Sequence, residues 1–226
     1  MAHDHDHKHH HPDHEHDHAH DHHHHDGDDH HHHHHGDHDW YSQAYVADWS
    51  ARDAARLSER QPTIDRLIAA VPYARDAEIA VLDVGGGSGV LAWAVLTAFP
   101  RAQVTLQDYS QPMLDRARAR FADRATQLRY VLSDLRDPEW MQGIDERFDL
   151  AVSGIAIHNL QGLAAIAACY QGIHNLLKSG GSFLDYDHFD RVGGVPLHQH
   201  SMKVAGFRSV DLIWHDHPTA ILKANV

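Results

Sequence analysis
In VLDVGGGSGVLA, residues 81–92, an aspartate and three glycines alternate: Asp83, Gly85, Gly87 and Gly89. Glycines at that spacing let the backbone turn tightly and let a ligand approach it. A helix beginning behind the loop offers unpaired N–H groups. In a nucleotide-binding sheet such a loop sits at the carboxyl end of the first strand, where ligands bind. The neighbours of the glycines decide which ligand. A dinucleotide fingerprint needs Gly or Ala where this chain has Val90. No Walker lysine follows, which excludes a P-loop. Asp83 precedes the first glycine, and a carboxylate there repels phosphate and suits a cationic ligand.

A second set of chemical groups lies near the start. Residues 1–39 hold 21 of the 28 histidines and 11 of the 32 acidic residues, with one lysine and no arginine, so they carry −10 of the formal −13. His22, His23, His24 and His25, and the run His30, His31, His32, His33, His34 and His35, are candidate metal ligands. Neutral imidazole binds nickel, zinc and copper well. Acidic residues interleave irregularly with the histidines, unlike a designed tag. With almost no apolar side chains the stretch has nothing to collapse around, so disorder in the metal-free state is expected. Many histidines in such a chain suit buffering or capture of divalent ions, with binding weakening as pH falls through about 6.5.

The elements that must position the loop read as follows. Tyr41, Tyr45 and Trp49 share one helical face, and Pro62 is expected to break that helix before a short second one at 63–71. Strands are expected at 77–84, 103–107, 128–133, 148–154 and 181–187. Helices are expected between them at 88–99, at 111–122 (with Pro112 in the first turn) and from Leu163 to Leu177. A helix at 197–205 and two strands at 207–214 and 218–226, joined by a short turn, close the chain. This alternation predicts an α/β fold: a Rossmann-like, seven-stranded, mostly parallel sheet with helices on both faces and an antiparallel C-terminal hairpin. The organisation is read as a disordered metal-binding tail (1–39), a helical cap (40–74) and a catalytic domain (75–226). Cys169, the single cysteine, lies on an apolar helix and is expected in the core. One cysteine also excludes a disulfide framework and any multi-cysteine zinc site.

Residues 81–89 resemble the first motif of class I S-adenosylmethionine-dependent methyltransferases. QDYSQPMLDRAR (107–118) resembles the family's next segment, SDLRD (133–137) its third motif and FDLAVSGIAIHNL (148–160) its fourth. LLKSGGSFLDYD (176–187) resembles the L-K-P-G-G segment, with Ser179 where proline is usual, and AGFRSV (205–210) resembles the late A-G-F segment. The resemblance spans roughly residues 75–226. It implies S-adenosyl-L-methionine as cofactor. Asp108 would bind the ribose hydroxyls, since a carboxylate accepts two hydroxyl hydrogens at once. Asp134 would bind the adenine amino group, with Asp137 as its alternative. Tyr109, Leu135 and Ser153 join Asp83 and the three glycines as cofactor contacts.

Methyl transfer from a sulfonium needs a nucleophile in line with the methyl–sulfur bond, and a base if that nucleophile carries a proton. The mouth is expected at the ends of the fourth and fifth strands. His158 is the first candidate for the base and His188 the second; His215 and His217 come near from the hairpin. Tyr186, with Tyr45 and Trp49 as either packing or a substrate lid, are the candidate substrate contacts. The fourth motif lacks the D/N-P-P-Y/F of base-methylating enzymes, and the domain is slightly acidic with no basic patch. Nucleic acid is therefore not expected as a partner, and a small molecule is. No membrane span and no signal peptide are read, so a cytoplasmic protein is expected; the sequence leaves monomer or homodimer open. The reading is a small-molecule methyltransferase with an accessory metal-binding tail. The alternative is a metal-trafficking or buffering protein whose methyltransferase fold is regulatory or non-catalytic.

Overall fold
The computed structural model describes residues 39–160 and 162–226, apart from the side chain of Ala54. The expected disorder of the tail and its candidate ligands, His22 to His25 and His30 to His35, lie outside the described residues.

Helix α1 (Gln43–Ala69) starts at Ser42, whose Oγ accepts the Tyr45 N–H at 3.3 Å. It runs unbroken for 27 residues with Pro62 inside it, so the expected break does not occur. Proline in a helix interior forfeits one backbone hydrogen bond and costs about 3 kcal/mol. The residues just beyond it supply more than that. Ile64, Leu67, Ile68 and Val71 are buried in one cluster with Val81, Leu91 and Val95, and burying each such side chain contributes roughly 1.5–3 kcal/mol. The second half of α1 thus packs into the same core as the sheet.

The sheet comprises β1 (Ala80–Val84), β2 (Gln103–Asp108), β3 (Leu128–Leu132), β4 (Phe148–Gly154), β5 (Leu177–Asp187), β6 (Ser209–Asp216) and β7 (Thr219–Asn225). Their order is β3-β2-β1-β4-β5-β7-β6. The first five are parallel, and β7 runs antiparallel between β5 and β6. The expected architecture is therefore the observed one. Helices α2 (Val90–Ala98), α3 (Gln111–Arg120), α4 (Leu163–Leu176) and α5 (Gly194–Val204) connect the strands. One apolar cluster joins α1, α2 and α3 to the sheet, and a second joins α4 and α5 to it. Cys169 is fully buried in the second.

Boundaries differ where local rules miss longer-range pairing. β5 begins at Leu177 rather than Gly181, because Leu177 already pairs with Phe148 ahead of a register shift. Three 3₁₀ turns, Ala122–Gln127, Ile157–Leu160 and Phe189–Val192, were not signalled by periodicity. The chain reverses direction across the sheet between β2 and β4, which flank β1. Ligands of open α/β sheets bind at such a switch point, outside the carboxyl ends of the strands.

Two substitutions test the account of α1. Pro62 is exposed, so Pro62→Ala restores a backbone donor without losing packing and raises stability by about 1–3 kcal/mol. Leu67→Ala lowers it by about 2–5 kcal/mol. Urea unfolding reads both, and a lower midpoint for Pro62→Ala would show that the ring itself holds the helix.

Candidate active site
The glycine loop follows β1 and is gripped by the tip of β2. The Gly85 N–H donates to Gln107 Oε1 at 3.0 Å, the Gly86 N–H to the Gln107 carbonyl at 2.9 Å and the Gly87 N–H to Asp108 Oδ2 at 2.9 Å. The glycines answer different constraints. Gly85 and Gly89 have φ of +62° and +81°, and a Cβ on either would stand 2.6 Å from Ala156 or Phe121. Gly87, at φ +54°, has nothing within 4 Å of a Cβ placed on it. That face of the loop is open to a ligand.

The carboxylates around the loop have separate surroundings. Asp83 is fully buried beneath it, where Oδ2 accepts the Ala92 N–H at 3.0 Å and Oδ1 has no hydrogen-bond partner. Burial pushes its carboxyl up to about 7, against the lowering effect of the Ala92 bond and with a further push from Asp108. Asp108 accepts the Gly87 N–H through one oxygen and the Ser110 N–H, at 2.8 Å, through the other. Burial raises its pKa and these backbone bonds oppose the rise. A carboxylate offers about four lone-pair sites, so the Asp108 oxygens keep room for a further donor. Asp134 is chelated by Arg136 with contacts of 2.6 to 3.0 Å, and this guanidinium holds its carboxyl below the usual range. The same guanidinium lies 5.5 Å over the Tyr109 ring, and Tyr41 meets that ring edge-on at 5.6 Å. Leu135 is half-buried beside the second core cluster. The Ser153 hydroxyl is buried and donates to the Val84 carbonyl at 3.1 Å, so it ties β4 to β1 rather than facing the loop.

The histidines converge at the tip of β5. Asp187 ends that strand; Oδ1 lies 2.5 Å from His158 Nδ1, and Oδ2 accepts the His158 backbone N–H at 2.9 Å. A carboxylate at Nδ1 fixes the proton there and leaves the lone pair on Nε2. Arg191 Nη1 stands 3.3 Å from that Nε2. The His188 ring lies 5.4 Å from the His158 ring, with Nδ1 3.3 Å from Thr219 Oγ1; burial lowers its pKa and Asp187 partly offsets this. The two candidate bases are thus adjacent, and the one bonded to Asp187 through its ring is His158. The turn leading to His158 is strained: Ile155, β-branched, has φ +56° and donates its N–H to the Tyr186 carbonyl at 2.8 Å. Such outliers persist where the surroundings over-determine them.

Tyr186 is buried in the first core cluster, where burial raises the pKa of its phenol and Arg60 of α1 opposes the rise. Tyr45 and Trp49 pack on Trp40 with centroids 5.3 and 5.0 Å apart. The Trp40 carbonyl accepts from Ser110 Oγ at 2.5 Å, which anchors this aromatic cluster at the start of α3. The three candidate substrate residues therefore divide between two places. A cleft of about 360 Å³ between α1 and α3 includes Ser88, Asp53 and Arg120 in its lining, and none of the histidines.

Sequence reading missed Gln107 and Asp187. Gln107 also donates from Nε2 to the Ser133 carbonyl at 2.6 Å, so it links the loop, β2 and β3. Its one signal was a polar residue ending an apolar strand. Asp187 stood beside a candidate histidine, in Asp185-Tyr186-Asp187-His188.

Residues 81–181 match the family model described as a methyltransferase domain. Among curated proteins, the chain is 35% identical over 103 residues to ribosomal RNA small subunit methyltransferase C of Klebsiella pneumoniae, covering 45% of this chain and 29% of that protein. It is 30% identical over 101 residues to the ubiquinone/menaquinone biosynthesis C-methyltransferase UbiE of Desulfotalea psychrophila, covering 45% and 38%. The chain thus spans about a third of the length of these relatives. Among solved structures, an O-methyltransferase family protein from Burkholderia thailandensis superposes with a TM-score of 0.65 at 20% identity, over 82% of this chain and 63% of that one. Human N-acetylserotonin methyltransferase, solved with S-adenosylmethionine, gives 0.62 at 17% identity, over 82% and 57%. The fold is that of class I S-adenosylmethionine-dependent methyltransferases.

Asp83 generates a pH dependence. Its folded pKa, about 7, exceeds the ordinary 3.8, so the folded state binds the proton more tightly than the unfolded one. Its contribution is fully present below about pH 4 and is lost as pH rises toward 7. Asp83→Asn removes this dependence. The stability of the parent relative to the variant therefore falls between pH 5 and pH 8 in urea unfolding. An unchanged difference would show that Asp83 is ionised throughout.

Proposed function
We propose that this protein is an S-adenosylmethionine-dependent methyltransferase whose acceptor is a small molecule bearing a proton on the attacked atom. The residues present fit the cofactor. The open face at Gly87, the orphaned buried Oδ1 of Asp83 and the spare lone pairs of Asp108 form a cation-tolerant, hydroxyl-accepting cradle. When bound, the cofactor supplies an activated methyl group on a positively charged sulfur. Gly85, Gly87, Gly89 and Asp108 would hold it, with Asp83 beneath the loop stabilising the positive charge. Tyr109, Leu135 and Asp134 would take the adenine end, Asp134 on release from Arg136. Ser153 serves by holding β4 to β1.

The observation that carries the catalytic part is the buried His158–Asp187 pair. Asp187 orients the ring and stabilises it once protonated, leaving Nε2 to take the acceptor's proton. Arg191, beside Nε2, must give way to the acceptor and would then stabilise a developing anion. His188 is placed second, as a neighbour that shapes the mouth. Tyr186 supports its wall, and the Trp40, Tyr45 and Trp49 cluster would cover the entrance. The relatives include an enzyme whose name gives ribosomal RNA as substrate. The slightly acidic composition beyond residue 39 argues against a polyanionic acceptor here. Among the described residues no helix is long and apolar enough to cross a membrane. We assign residues 1–39 an accessory role, binding nickel or zinc independently of the fold. Nickel bound there is released between pH 7.5 and 5.5 in equilibrium dialysis, as the imidazoles protonate.

The decisive experiment titrates S-adenosylmethionine and its demethylated product into the protein, then offers labelled cofactor with phenols, carboxylic acids, amines and RNA. Both nucleosides bind, and label passes to a small acceptor. His158→Ala lowers kcat about 10²–10⁴-fold while nucleoside affinity stays within about twofold, and Asp187→Asn lowers kcat by presenting the wrong tautomer. Undiminished turnover in His158→Ala removes the base. Label on RNA alone removes the small acceptor, and binding of neither nucleoside removes the whole reading.

A further inference from the structure
We infer that Asp190, His215 and His217 form a binding site for a late first-row divalent metal ion on the folded domain, separate from the histidines of residues 1–39. One ligand atom from each of the three lies within 4.8 Å of the others. Asp190 Oδ2 and His217 Nδ1 are already 2.9 Å apart. An ion taking the place of this contact would sit between the two atoms, and all three residues are exposed, so it can enter from solvent and keep water in its remaining positions.

The backbone holding these ligands is built, not loose. His215 lies in β6 and His217 in the two-residue turn that follows it, so the hairpin carries both ligands within one turn of chain. His215 is opposite Ala220 of β7, and Ala220 is opposite Asp187 of β5. Three residues beyond Asp187, Asp190 lies in the 3₁₀ turn Phe189–Val192. Sheet register thus sets the distance between the turn and the hairpin. The donor set decides the ion. Two imidazoles and one carboxylate suit zinc, nickel or copper, whereas magnesium and calcium take oxygen donors.

The site borders the histidine pair. Arg191, next to Asp190, reaches His158 Nε2 at 3.3 Å, and His188, just ahead of the turn, lies 5.4 Å from the His158 ring. An ion joining Asp190 to His215 and His217 therefore staples the segment carrying Arg191 to the β6–β7 hairpin. The inference stands on these side chains alone and does not require the methyl-transfer reading.

The test uses the 226-residue chain labelled with ¹⁵N and titrated with zinc chloride, with magnesium chloride as the control. Amide signals of Asp190, His215 and His217 shift saturably with zinc and stay in place with magnesium. In a His215→Ala/His217→Ala variant these shifts at Asp190 vanish, while those of residues 1–39 persist. Zinc also raises the melting temperature of the parent by about 2–4 °C more than that of the variant. Should the double variant lose its dispersed spectrum, Asp190→Asn is read in the same way. Unmoved signals at zinc levels that saturate residues 1–39, or equal shifts in parent and variant, overturn the site.

Discussion
A carboxylate at or next to the tip of a strand, accepting backbone N–H groups from a loop or helix start, recurs around this site. Asp83, next to the end of β1, takes the Ala92 N–H in the first turn of α2; Asp108 at the end of β2 takes those of Gly87 and Ser110, and Asp187 at the end of β5 takes those of His158 and His188. Each of these acids thereby fixes the backbone next to the candidate site. The bonds are charge-assisted when the acid is ionised, and such bonds are about twice as strong as neutral ones. One residue type can serve both backbone and ligand because a carboxylate has lone pairs for the first and others left for the second.

That arrangement explains what could be read from the sequence. The strands were legible because each is a short apolar run ending in polar or glycine residues, and the loop was legible because three alternating glycines have few other uses. His158 could be picked out by its place after β4. Its partner could not, because Asp187 is 29 residues away and becomes a neighbour only through the β4–β5 pairing. Gln107 was hidden for the same reason: its side chain reaches Gly85 and Ser133, in the segments following β1 and β3. Pro62 misled in the opposite direction. The rule that proline breaks helices is local, and burial of Ile64, Leu67 and Ile68 overrides it.

Two guanidiniums also went unread. Arg136 closes on Asp134 and Arg191 approaches His158. Both meet residues to which the sequence assigned a role, an adenine contact for Asp134 and a general base for His158. Arg136 is mostly exposed, where an ion pair is worth little, of the order of 0–1 kcal/mol, so a ligand can displace it at small expense. The candidate site is therefore legible in its glycines and acids, and less so in the cations that pair with them.

Cys169 sits sealed inside the second apolar cluster, and burial pushes its thiol far above the ordinary range. It is the chain's single sulfhydryl, so thiol-directed reagents have no handle on the native fold. The protein can be handled without reductant, and its exterior will accept one introduced cysteine as a unique attachment point for a spectroscopic label.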